Sequence, residues 1–213
     1  MVGGLLAAVI VGGIIWLASK SYKQSLHENV LAQLEKMGKH LALEGQRIDD
    51  LLVNVPNSKL FNRVVKGNLD GQMLDIQAKF LFDTVGPGEA GGHWEFSILW
   101  HCENKQNLEM QIYKETILST VGKRFGEEDI IIGNKEFDKR FIIQCNDKAF
   151  PKSKFNKQFC DQLLNQHKKF GSFRVIEEGV RYIEHVCPKN DDVSIRLIEI
   201  IKVAQQLAKM VDS

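Results

Sequence analysis

Four side chains of types that bind zinc fall in two short stretches: His93 and His101, and His185 and Cys187. Neutral imidazole and thiolate are the usual zinc ligands. Both stretches alternate apolar and polar residues, and in a strand even spacing keeps each pair on one face. Cys102 then points away from His101. No Cys-x-x-Cys or His-Glu-x-x-His occurs in the chain, so surface histidines and small buried cysteines account for these residues without a metal. The expected metal set is empty.

Nucleophilic and phosphate chemistry have less support. There is no Gly-x-Ser-x-Gly elbow, the turn that exposes a catalytic serine. Cys160 has no neighbouring His and no helix start to lower its pKa. The glycines between Gly86 and Gly92 lack the Lys-Ser/Thr of a phosphate loop. Glu127-Glu128-Asp129 reads as a solvated acidic turn. No catalytic residue and no cofactor is assigned.

Charge is distributed unevenly. The chain has 213 residues, 44% hydrophobic and 26% charged, with a net charge of +1. That composition excludes a collagen-like, disulfide-dense or wholly disordered chain. It supplies no global field for nucleic acid, and no nucleic-acid partner is expected. Lys148 to Arg174, however, holds seven basic residues against one acid, Asp161, a local +6 in 27 residues. Read as one helix from Lys152 to Lys169, this segment buries Phe155, Phe159 and Leu163. It offers Lys152, Lys154, Lys157, Lys168 and Lys169 as a contact for anionic lipid or a partner protein. The plain alternative is a solvated face balanced by acids such as Glu177, Glu178 and Glu184.

The elements that must position these groups follow from periodicity. Leu26, Val30, Leu34, Met37 and Leu41 give an amphipathic helix over Ser21 to Met37. Alternation from Leu74 to Phe82 gives a strand, and Asp70-Gly71 before it predicts a tight hairpin with Arg63 to Asn68. Trp94, Phe96, Ile98 and Trp100 alternate in the next strand, after a glycine-rich loop. Leu108, Met110 and Ile112 follow, so four consecutive strands predict an antiparallel meander, with Phe80, Trp94, Phe96 and Ile98 facing inward. Ile130 to Ile132 and Phe141 to Ile143 read as short strands. Ser172 to Glu177 and Val180 to Val186 read as a hairpin over Glu178-Gly179. Asp192 to Val211 is an amphipathic helix with a wide apolar stripe.

The N-terminus is a separate matter. Val2 to Ala18 is seventeen residues without a charged or strongly polar side chain. As a helix it reaches roughly 26 Å, near the short end of a bilayer span. No basic residue precedes it, and no good cleavage site follows, which disfavours a signal peptide. Its glycines disfavour a core helix and suit a lipid-embedded one. Lys20 and Lys23 follow the run, so the positive-inside rule puts the remainder in the cytoplasm. Gly4, Ala8 and Gly12 share one helix face, a small-xxx-small pattern that lets two copies associate.

Two further stretches resemble a family of uncharacterised bacterial membrane-anchored proteins. One is Asn62-Arg63-Val64-Val65-Lys66-Gly67-Asn68-Leu69-Asp70-Gly71 with the strand after it. The other runs from Asp129-Ile130 through Phe137-Asp138-Lys139-Arg140-Phe141-Ile142-Ile143 to Asp147, leading into a helix near Phe155 to Leu164. The resemblance covers roughly residues 40 to 210. It departs at Asp75-Ile76-Gln77-Ala78-Lys79-Phe80, where the family carries an aromatic pair. It implies a fold and a membrane location, and no activity.

The expectation is therefore an α+β protein: a transmembrane anchor over 1–19, an amphipathic stalk helix over 20–38, and a cytoplasmic domain over 39–213. The domain is an antiparallel meander packed with helices and closed by a long C-terminal amphipathic helix. It would be single-pass in the cell inner membrane. Its function is a non-enzymatic interaction or scaffold role with lipid, a protein partner or a second copy. The alternative is an enzyme whose site carries no familiar motif.

Overall fold

The computed structural model describes residues 28–30, 32–34, 36–37, 52–53, 62–85, 89–114, 129–166, 170–186 and 193–213. The apolar run over 2–18, with Gly4, Ala8 and Gly12, lies outside them, as do Lys168, Lys169 and Cys187. No helix among the described residues is long and apolar enough to cross a membrane.

One antiparallel sheet organises the chain. Its strands are β1 (Leu52–Val53), β2 (Asn62–Leu69), β3 (Gln72–Val85), β4 (Glu89–His101), β5 (Met110–Lys114), β6 (Phe141–Cys145), β7 (Ser172–Ile176) and β8 (Gly179–Val186). Their order across the sheet is β1-β2-β3-β4-β8-β7-β5-β6. The helices are α1 (the helical residues between 28 and 37), α2 (Lys135–Asp138), α3 (Ala149–Lys154), α4 (Lys157–Gln166) and α5 (Val193–Asp212). The architecture is α+β, with an antiparallel sheet and a C-terminal helix.

The first hairpin forms where the sequence places it. Asp70 and Gly71 both take positive φ, 53° and 79°, the two-residue geometry that matches the twist of the flanking strands. Leu69 then pairs with Gln72, and the register runs out to Asn62 opposite Lys79. Pairing of β3 with β4 continues through Gly92 and Gly91, opposite Phe82 and Asp83. The glycine-rich loop is thus shorter than the sequence suggests.

The meander stops at three long strands. β5 does not follow β4 in the sheet, because the β7–β8 hairpin is inserted between them. Two glycines permit the close approach. A Cβ on Gly179 would sit 2.1 Å from the Trp100 carbonyl oxygen, and one on Gly171 would sit 1.9 Å from that of Ile183. Residues 129–132 are also not a strand. Instead, Ile130 N–H donates to the Ile143 carbonyl and Asp129 Oδ1 accepts from Ile143 N–H, and the single turn α2 intervenes. Asn134 caps α2, and the Asp138 carboxylate accepts from Ile132 and Gly133.

Alternation divides the sheet into two unlike faces. Trp94, Phe96, Ile98 and Trp100 are all buried, as are Leu74, Ile76 and Ala78 beside them and Phe173, Val180 and Tyr182 beyond. The side chain of Phe80 lies outside the described residues. Leu197, Ile200, Ile201, Ala204, Leu207, Ala208 and Val211 of α5 complete this core, the stripe its periodicity requires. Val30, Leu34 and Met37 of α1 belong to the same cluster. An aromatic chain runs through Phe137, Phe141, Phe170 and Tyr182, with successive ring centroids 4.9, 5.0 and 5.6 Å apart.

The basic segment is not one helix. It breaks at Phe155-Asn156 into α3 and α4, because Asn156 caps the second helix by accepting from Phe159 N–H. Phe155, Phe159 and Leu163 are buried as expected.

Candidate functional site

The opposite face of the sheet is more polar, half exposed along β3, β4 and β8 and buried at Gln111 and Tyr113 of β5, and the register fixes what stands beside what. One row crosses seven strands: Lys66, Asp75, Leu99, Arg181, Arg174, Gln111 and Gln144. At its β3 end the charges are matched. Asp75 Oδ2 meets Lys66 Nζ at 3.1 Å and His101 Nε2 at 3.3 Å.

At the other end they are not. Arg174 and Arg181 are directly opposite on β7 and β8, about 5 Å apart at Cβ, where like charges repel. Gln111 is opposite Arg174 on the other side and is 3% exposed. Arg174 Nε and Gln111 Nε2 are shut off from solvent and lack a hydrogen-bond partner. No carboxylate among the described residues pairs with either guanidinium. Buried donors are normally satisfied, so among the described residues this end of the row has unmet hydrogen-bonding capacity and two charges without a counter-charge.

The histidines named from the sequence split up. His93 and His185 come together, with ring centroids 4.9 Å apart and nearly perpendicular. His185 Nε2 lies 4.0 Å from Glu95 Oε2. His101 is at the far end of β4, engaged with Asp75. No group of three or more potential ligands among the described residues is arranged to hold a metal ion. Burial pushes the thiols of Cys102 and Cys160 up to about 11, with Asp212 and Asp161 respectively adding to the effect. Those thiols are poor nucleophiles at neutral pH.

Of the basic cluster, Lys152 is exposed. Lys157 pairs with Asp161, and Lys154 Nζ donates to Ser213 Oγ at 2.7 Å. Glu184, expected to balance this cluster in solvent, is 2% exposed on the core face. It takes two hydrogen bonds from Arg196 of α5 and one, at 2.7 Å, from the Tyr182 hydroxyl. That hydroxyl accepts from Gly171 N–H at 2.8 Å. Burial, reinforced by Glu184, raises the Tyr182 pKa well above its ordinary value. Lys114 is lowered, first by burial and then by Arg196.

Two features escaped sequence reading, and each left a trace. Glu184 sits on the apolar side of an alternating strand, so it had to be buried with a partner. Arg174 and Arg181 are both outward positions, but their juxtaposition depends on the hairpin register. Comparison of the chain with family models, curated proteins and solved structures finds no match.

Proposed function

We propose that this chain is a membrane-anchored, non-enzymatic interaction module that presents the open face of its sheet to a partner on the cytoplasmic side of the cell inner membrane. The observation that carries this reading is the contrast between the two faces. One is closed by helices over a continuous apolar core, while the other carries charged side chains, of which Arg174 and Arg181 meet no carboxylate among the described residues. The uncharged run over 2–18 and the Lys20/Lys23 flank support the anchor and its orientation. The resemblance to bacterial membrane-anchored proteins points the same way. The polar groups most perturbed by burial favour a binding role over catalysis: Tyr182 and Glu184 are sealed beneath α5, where substrate has no access.

A photo-crosslinking residue at Leu99 or Ile183, both on the open face, tests the reading in intact membranes. A discrete adduct from these positions, absent from Ile195 on α5, is expected. Equal or absent crosslinking from both sides overturns it. A Ser213→Cys variant should resist a membrane-impermeant thiol reagent in whole cells, and labelling from outside would reverse the orientation.

A further inference from the structure

The unmatched end of the open-face row has a definite chemical complement. We infer that Arg174, Arg181 and Gln111 form a binding site for a phosphate monoester. This rests on reading the open face as a contact surface, and it names the chemistry of what is contacted.

Arginine presents a planar fork of N–H donors suited to oxyanions. Here two forks project from adjacent strands at one register position, with a combined charge of +2. A carboxylate carries one negative charge, so it would leave a cation uncompensated. A phosphate monoester carries close to two above its second pKa of about 6 and offers three terminal oxygens. Two of those oxygens meet the guanidinium forks. The third lies on the Gln111 side, where the Nε2 group is buried and has no other acceptor among the described residues. Asp75, the acid of this row, is already engaged by Lys66 and His101. The three donors are therefore pre-assembled, since β8, β7 and β5 are neighbours in the sheet and hold them at one register position.

The monoester group can belong to a soluble metabolite or to a lipid headgroup such as phosphatidic acid. The full chain in neutral detergent, titrated with phenyl phosphate and followed by phosphorus NMR and thermal unfolding, tests the site. Saturable binding and a raised unfolding temperature are expected. Arg174→Gln or Arg181→Gln should weaken binding about tenfold or more, the loss expected for a charge-assisted bidentate contact. Arg181→Lys should recover part of it. Gln111→Leu should weaken it less.

Removing one of two opposed like charges does not threaten the fold, so Arg181→Gln serves even if Arg174→Gln fails to fold. Absence of saturable binding, or unchanged binding in Arg181→Gln, overturns the site. In nanodiscs, phosphatidic acid should compete with phenyl phosphate if the lipid headgroup is the source. No competition assigns the site to a soluble monoester. If phosphate binding fails while Leu99 still crosslinks, the anion site falls and the contact face stands. If the crosslink fails as well, both fall.

Discussion

Arg196 of α5 holds both carboxylate oxygens of Glu184 on β8, with Nη2 2.6 Å from Oε1 and Nε 3.3 Å from Oε2. The pair ties the C-terminal helix to a central strand at a point where hydrophobic contact alone would permit sliding. Both charges are largely withdrawn from water, so each depends on the other.

Glu184→Gln should therefore destabilise the protein by about 3–5 kcal/mol, because it removes the negative charge facing a largely buried guanidinium. The double variant Glu184→Leu/Arg196→Met should recover most of that loss. Urea unfolding of the three proteins checks this. A single-variant loss below about 1 kcal/mol would mean that water reaches the pair.

Phe96→Ala should cost about 3–5 kcal/mol, since the ring is fully buried between Ala78 and Glu184 on the neighbouring strands. The same substitution at Leu99, one row away on the open face, should cost far less. The difference between the two midpoints in denaturant measures the inequality of the faces.

Cys160 should resist alkylation in the native state until strongly alkaline pH, because burial holds its thiol near 11. The pH dependence of stability has a definite sign. An unfolded thiol ionises near 9 while the native one keeps its proton, so the native state binds more protons between the two values. The contribution of Cys160 is fully present below pH 9 and is lost as pH rises towards 11. Cys160→Ala should flatten that alkaline decline.

The surface lysines give a separable expectation. A chain lacking residues 1–27 should bind anionic vesicles, and binding should weaken with salt as screening shortens to about 8 Å. Replacing Lys152, Lys154 and Lys157 with Gln should reduce binding while changing stability by a few tenths of a kcal/mol per site. Lys157 should contribute least, since Asp161 already neutralises it. Indifference to anionic vesicles at low salt would assign this surface to solvent.

The local elements were legible in the sequence because their causes are local. Asp70-Gly71 dictates its own turn, and the alternation of Trp94, Phe96, Ile98 and Trp100 dictates its own burial. The position of the β7–β8 hairpin was not legible, because periodicity states which face a strand buries and not which strand it meets. Gly179 shows the limit at one residue. As a glycine after Glu177-Glu178 it reads as part of the turn. It is instead the first residue of β8, its side chain forbidden by the Trp100 carbonyl. Shifting that turn by one residue is what brings Arg174 opposite Arg181 rather than Ile183. The site was thus hidden by a register, not by its residue types.

The contact of residues 129 and 130 with β6 bears on the behaviour of the protein at high concentration. β6 is the last strand of the sheet, and an exposed final strand is a template onto which another molecule can add its own. At Ile143 both backbone groups on that side are occupied, the N–H by the Asp129 carboxylate and the carbonyl by Ile130. An incoming strand would have to displace a charged acceptor before forming its first bond. Asp129→Ala opens that position, so it should increase fibrillar or amorphous self-assembly under mild heating, at a stage before global unfolding.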